Sequence, residues 1–152
     1  MTDIVHRIGI KAPAAEVYAA LSTIEGLAGW WTEETTGDAK VGGLISFVFH
    51  LETGELLGGF DMDVIELSPS DKVRWRVKDG PAEWIGTFIE FSLARQDDWT
   101  VVMFSHRGWR EEVEFTAHCS MKWATFLLSL REYVETGTGK PSPHDLKIDN
   151  WN

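Results

Sequence analysis

The hydrophobic period of this chain changes close to Gly108, and that change limits the folds available to it. Before Gly108, apolar side chains alternate with polar ones over several short segments, which is typical of half-buried strands. After it, apolar residues recur every three or four positions from Cys119 to Val134, which predicts one long amphipathic helix. A sheet with one apolar face and a single long helix bury those faces against each other, so the pattern predicts an α+β domain.

Six segments alternate in this way and predict the strands of one antiparallel sheet. Pro13 suits the first turn of a helix, so two short helices are expected between Pro13 and Trp31. Residues 32–43 are polar and rich in glycine, which predicts a loop. Turn residues separate the later strands, as in consecutive hairpins. The predicted strands are residues 3–11, 45–50, 60–64, 72–78, 83–94 and 100–107.

The long helix is predicted to cover at least His118–Thr136. Gly137 follows it and suits the left-handed residue that ends many helices. Residues 1–152 are expected to form one domain, because a chain of 152 residues buries roughly 70% of its unfolded surface and needs no second core. An edge strand, at residues 3–11 or 58–67, would allow a homodimer as well as a monomer.

Charge and cysteine content argue against several classes of partner. The chain has 24 acidic and 14 basic residues and a net charge of −10, which repels nucleic acid and anionic membrane surfaces. Its one cysteine, Cys119, rules out an intrachain disulfide and suits a reducing compartment. The N-terminal residues do not form a signal peptide, and no apolar run approaches the roughly 20 residues that span a bilayer. A cytoplasmic location is therefore expected.

Three segments carry a resemblance to a known family. They are IGIKAPAAEVYAALSTIEGLAGWWTEETTGDAKVGG at 8–43, WTVVMFSHRGW at 99–109 and KWATFLLSLREYVETGTGKPSP at 122–143. In these segments the chain resembles homologues of the activator of the heat shock protein 90 ATPase, within the START-like helix-grip (SRPBCC) superfamily. Lys122 departs from the resemblance, because many relatives have glycine before the helix tryptophan.

The resemblance implies a curved antiparallel sheet, six-stranded here, that wraps around the long C-terminal helix and leaves a cavity between them. It also implies an apolar ligand in that cavity, or contact with a chaperone during a stress response. The ligand itself is not specified by the resemblance, because one fold hosts many functions.

Large apolar side chains on the inward faces are the candidate ligand contacts. Burial of ligand surface against such side chains contributes about 25 cal/mol per Å². The alternative for each of them is a place in the filled core. The candidate ligand-binding residues are Trp30, Trp31, Phe47, Phe49, Phe60, Met62, Trp75, Phe91, Phe104, His106, Trp123 and Leu127.

Three of these candidates have specific alternatives. Trp30 and Trp31 come at a helix end before the polar loop, so each is either a contact at the cavity mouth or a plug of the open edge. His106 is predicted on the inward face of the last strand, where it either orients a ligand or is a hydrogen-bonded core histidine.

No residue pattern specifies a metal, a cofactor or a reaction. Glu114 and His118 have i, i+4 spacing, but a catalytic zinc needs a third protein ligand that the sequence does not place. Cys119 lies on the buried stripe and is expected to be an inert thiol. P-loop, nucleophile-elbow and dinucleotide-binding motifs are missing from the chain.

Three functions follow, in order of preference. The first is non-catalytic binding of an apolar or aromatic small molecule, with no cofactor and no metal. The second is a protein-binding module that serves a chaperone. The third is a cyclase or hydrolase, for which His106 is the one titratable candidate in the cavity.

Overall fold

A curved antiparallel sheet of seven strands and three helices form the structure, a computed structural model that describes residues 1–152. The sheet order is β1-β7-β6-β5-β4-β3-β2. The strands are β1 Thr2–Ile10, β2 Glu34–Gly37, β3 Leu44–His50, β4 Leu56–Ser68, β5 Lys72–Asp79, β6 Phe88–Gln96 and β7 Trp99–Trp109. The helices are α1 Ala14–Ser22, α2 Ile24–Trp30 and α3 Glu114–Thr136. This is the helix-grip arrangement that the sequence predicts.

The helix ends follow from local chemistry. Thr23 is the N-cap of α2, where its Oγ1 accepts a hydrogen bond of 3.0 Å from the Gly26 amide. Helix α3 begins at Glu114, before the predicted minimum, and Gly137 at φ +89° ends it in the left-handed conformation that the sequence predicts. No helix combines the length and the apolar character that a membrane span requires.

The predicted loop at residues 32–43 is wrong in part, because it contains β2. Glu34–Gly37 pairs with the outer edge of β3, with Thr35 opposite Phe47. These residues show no apolar alternation, so only the free hydrogen-bonding edge of β3 makes them a strand. The sheet therefore has seven strands where six were predicted. Its edges are β1 and β2, and residues 58–67 lie in an interior strand.

The strand predicted at 83–94 begins later, at Phe88. Residues 81–86 form a turn instead, in which Gly86 adopts φ +86° and donates from its amide to the Val77 carbonyl at 2.9 Å. The turn directs Trp84 inward, where it is buried.

The core lies between the concave face of the sheet and α3, with α1 and α2 closing one end. Its largest fully buried side chains include Trp30, Trp31, Trp75 and Trp123. Trp31 lies at the centre of this layer, with ring centroids 4.4 Å from Phe47 and 4.9 Å from Trp123. Rings packed at these distances leave little space between them, so space is expected at the end of the layer and not at its centre.

Candidate functional site

A cavity of about 490 Å³ lies at the other end of the layer, between the start of β4, the 81–86 turn and the first half of α3. Residues 138–152, here called the tail, close its outer side through Asp145, Trp151 and Asn152. The complete lining is Trp31, Phe49, Leu57, Gly58, Gly59, Phe60, Pro81, Glu83, Trp84, Phe115, His118, Cys119, Lys122, Trp123, Phe126, Asp145, Trp151 and Asn152.

Aromatic rings make up much of the wall, and several share one orientation. Phe60 stacks on Trp84 with centroids 4.1 Å apart and planes 6° apart. Trp84 is inclined by 17° to Trp123, and Phe60 by 13° to Trp31. Aromatic pairs prefer offset stacks and edge contacts. The wall can therefore accept a planar ring system that continues the stack or meets its edges.

A buried ion pair forms part of the polar lining of the wall. Lys122 Nζ donates to Asp145 Oδ2, and the two side chains are 11% and 4% exposed. Lys122 also donates to the Leu146 carbonyl at 2.8 Å, and the Asn152 side-chain amide donates to Asp145 at 2.9 Å. The lysine that departs from the family resemblance thus anchors the tail to α3.

A second polar contact fixes the end of the tail. His118 Nδ1 is 2.7 Å from Asp149 Oδ2, and the His118 ring meets the Trp151 ring edge to face at 5.2 Å. The hydrogen bond from His118 is the main cause that lowers the pKa of the exposed Asp149 carboxyl. Trp151 also packs near Phe115, with centroids 6.3 Å apart. The tail is therefore held by side chains of α3.

Cys119 and Trp84 meet on the inner wall. Burial raises the pKa of the Cys119 thiol to about 12, so the group is neutral at physiological pH. A side-chain contact with Trp84 opposes this rise in part. The buried indole N–H of Trp84 has no partner at hydrogen-bonding geometry, and the same is true of Trp109. No group of three or more His, Cys, Asp or Glu side chains is placed to hold a metal ion.

His106 is a buried core residue behind this wall and does not line the cavity. The Trp123 indole donates to its Nδ1 at 3.2 Å, which leaves the proton on Nε2 to donate to Thr87 Oγ1 at 2.8 Å. Thr87 in turn donates to the Trp84 carbonyl at 2.5 Å. Burial lowers the pKa of His106 to about 3, so the ring is neutral. Neutral His106 thus positions two tryptophans of the wall.

The structure divides the twelve sequence candidates into two groups. Four of them line the cavity: Trp31, Phe49, Phe60 and Trp123. The other eight are buried away from it: Trp30, Phe47, Met62, Trp75, Phe91, Phe104, His106 and Leu127. Strand alternation and the helical repeat predict which face of each element points inward, but the position along that face decides which residues meet the cavity.

Sequence reasoning did not propose several lining residues as ligand contacts. Trp84 lies in the segment that the alternation predicts as a strand, and Trp151 lies in a tail for which the sequence pattern predicts no element. Their signal lies in the residue type, because tryptophan offers a large apolar surface together with one N–H donor. Glu83, Lys122 and Asp145 had no comparable pattern.

The family model described as "Activator of Hsp90 ATPase homolog 1-like protein" matches residues 11–135. The chain belongs to this family. The match begins directly after β1, runs to the last turn of α3 and leaves out the whole tail. No curated protein matches the chain.

Solved structures agree with the fold. The "Aha1 dimer from Colwellia psychrerythraea" is 42% identical, with a TM-score of 0.79 over 91% of this chain and 100% of that one. CalU16 from Micromonospora echinospora is 20% identical, with a TM-score of 0.75 over 97% of this chain and 74% of that one. SSP2350 from Staphylococcus saprophyticus is 17% identical, with a TM-score of 0.72 over 93% of this chain and 98% of that one. At such identities the last two show the fold alone.

Proposed function

We propose that this protein binds a planar, largely apolar small molecule in the cavity between β4, the 81–86 turn, α3 and the tail. The observation that carries the proposal is a cavity of about 490 Å³ with stacked aromatic side chains in its wall. Ligand pockets of drug-sized molecules span roughly 300–1,000 Å³ and are lined mainly by apolar and aromatic groups.

The size of the cavity sets the expected affinity. A ligand of three fused rings that buries roughly 250 Å² of apolar surface gains about 6 kcal/mol. The loss of translational and rotational freedom offsets part of this gain, while stacking on the aromatic wall adds to it. We expect dissociation constants of about 1–100 μM for unselected ring systems of this shape.

The test combines retention of a native ligand with occlusion of the cavity. Native mass spectrometry of protein purified from its own host should show a reproducible apolar adduct. Titration with 9-anthracenemethanol, a neutral three-ring probe, should quench tryptophan fluorescence, because Trp84 and Trp123 lie in the wall.

A paired set of variants on α3 locates the binding. Cys119→Met places a longer side chain on the cavity wall and should weaken probe binding at least about fivefold. Leu128→Met makes a change on the exposed side of the same helix and should leave binding unchanged. No adduct, no quenching and no difference between the variants would reject the proposal.

A second function rests on the family and on the 42% identical protein named Aha1: stimulation of the ATPase of a heat shock protein 90. The measurement is the ATPase rate of the host's own chaperone with and without this protein. An increase that survives Cys119→Met would assign the activity to the surface rather than to the cavity. An unchanged rate, with no complex in a pull-down, would reject this function.

The 42% identical Aha1 from Colwellia psychrerythraea is a dimer, so we also propose that this chain forms a homodimer. Light scattering after size-exclusion chromatography distinguishes 17.2 kDa from twice that mass. A monomer at high micromolar concentration would reject the dimer without affecting the cavity.

A further inference from the structure

Only some of the charged side chains around the cavity have a partner of opposite charge. Its lining contains two carboxylates, Glu83 and Asp145, one lysine and one histidine. Lys122 is the sole permanent cation among them, and Asp145 neutralises it within the buried ion pair. A negatively charged ligand group therefore meets no free positive partner on this wall.

Glu83 is the lining carboxylate without a counter-charge. It is exposed at the cavity rim, next to Trp84 in the 81–86 turn, and forms neither an ion pair nor a side-chain hydrogen bond. It also lines a neighbouring smaller cavity of about 220 Å³ with Arg110 and Glu111, yet Arg110 makes no ion pair with it. Glu83 is thus free to pair with a group that arrives from solution.

The charge of Glu83 reaches the inner wall. Burial is the main cause that raises the pKa of Cys119, and the nearby Glu83 carboxylate adds to the increase. The same negative potential at Cys119 stabilises a cation that binds near this part of the wall. The net charge of −10 on the whole chain attracts cations from solution in the same sense.

Aromatic faces in the wall favour the same sign of charge. The face of an aromatic ring carries negative electrostatic potential and attracts cations within about 6 Å of its centroid. Lys122 Nζ already lies 5.0 Å from the centre of the Phe126 ring. Glu83 and Trp84 line the same cavity, so a planar cation bound there can place its charge near the carboxylate and its ring against the indole.

We infer that the cavity selects planar aromatic cations over planar aromatic anions, with Glu83 pairing with the positive group of the ligand at the rim. This inference rests on the proposed binding function and adds the charge class of the ligand to it. Fatty acids and aromatic carboxylates are excluded as preferred ligands, since their carboxylates would face Glu83 and a lysine that is already neutralised.

Three probes of similar ring shape test the inference by calorimetric titration at low and moderate ionic strength. Proflavine is the cation, 9-anthracenemethanol the neutral molecule and anthracene-9-carboxylate the anion. We expect proflavine to bind about tenfold more tightly than the carboxylate at low ionic strength, with a smaller ratio as salt is added.

The chain provides a matched pair of variants. Glu83→Gln removes the rim charge and should reduce the cation-to-anion ratio about fivefold. Asp98→Asn makes the same change in net charge in the β6–β7 turn, at the opposite end of β6 from Glu83, and should leave the ratio unchanged. Because both side chains are exposed and unpaired, neither change should lower the thermal unfolding midpoint noticeably.

Two outcomes overturn the inference. One is that the carboxylate binds as tightly as proflavine or more tightly. The other is that Glu83→Gln does not lower the cation-to-anion affinity ratio, or lowers it no more than Asp98→Asn does. In both cases, binding of 9-anthracenemethanol would still support the proposed cavity function. If none of the three probes binds, the proposed function fails together with the charge selection.

Discussion

Aromatic side chains cluster in two regions of this protein, and different segments of the chain cover the two regions. In the closed region, around Trp30, Trp75, Phe91 and Phe104, every ring is fully buried. Trp30 meets Phe91 edge to face at 6.1 Å, and its indole donates to the Ala20 carbonyl of α1 at 2.8 Å. Helices α1 and α2 cover this end, and their backbone hydrogen bonds are satisfied within the helices.

The open region, around Phe60, Trp84, Trp123 and Trp151, surrounds the cavity. The tail covers it, and the tail has no regular helix or strand of its own. Its attachment to α3 depends on a few polar contacts, chiefly those of Lys122 and His118. The same residue types thus make a filled core under helices and a cavity wall under an irregular segment, because a helix supplies a continuous apolar face and an irregular segment does not.

The largest expected effect lies in the closed region. Phe91→Ala should lower the free energy of unfolding by about 3–5 kcal/mol, because the surrounding rings cannot collapse into the space. Denaturant unfolding measures the loss, with Phe60→Ala in the open region as the comparison. We expect a smaller loss of stability for Phe60→Ala than for Phe91→Ala. Equal losses would contradict the distinction between the closed and the open region.

His106 lies between the two regions, and its substitution should give the second-largest loss of stability. His106→Leu leaves the Trp123 indole without its acceptor and Thr87 without its donor, which should lower the free energy of unfolding by about 2–3 kcal/mol. The same variant should weaken binding of 9-anthracenemethanol, since Trp123 and Trp84 lose their positioning contacts. Weaker stability with unchanged probe binding would show that these contacts do not shape the wall.

The pH dependence of stability gives an independent check on His106. Its folded pKa of about 3 lies below the ordinary value of 6.5, so the unfolded chain binds the extra proton first as the pH falls. The contribution is complete above pH 6.5 and is lost toward pH 3, at up to about 1.4 kcal/mol per pH unit. His106→Leu should flatten this slope, and a slope that persists in the variant would assign it to other groups.

Loss of the buried ion pair should have a moderate effect. Asp145→Asn leaves Lys122 almost buried without its counter-charge and should cost about 2 kcal/mol. Lys40, which pairs with Asp38 on the surface, provides the control, and Asp38→Asn should cost less than about 0.5 kcal/mol. Similar costs for the two substitutions would show that the tail exposes Lys122 to water in solution.

Trp151→Ala should have the smallest effect on stability and a clear one on binding. The side chain is 44% exposed, so its removal should cost less than about 1 kcal/mol. It also lines the cavity, so binding of 9-anthracenemethanol should weaken about three- to tenfold. Trp99→Ala removes a similarly exposed tryptophan from the far end of β7 and should leave binding unchanged.

The sequence alone determined the class of fold, the long helix, its glycine end and five of the strands approximately where they lie. Each of these depends on contacts between near neighbours: strand alternation, the three-to-four residue helical repeat, or a left-handed glycine. The resemblance to the family, carried by three segments, gave the curvature of the sheet and the expectation of a cavity.

Only the tertiary structure decided where the cavity lies. Strand β2 depends on the free edge of β3, and Trp84 faces inward because of the turn at Gly86. Asp149 meets His118 from 31 positions away in the chain. Local patterns specify which face of an element is apolar, but packing between distant segments decides which part of that face is filled and which part stays open.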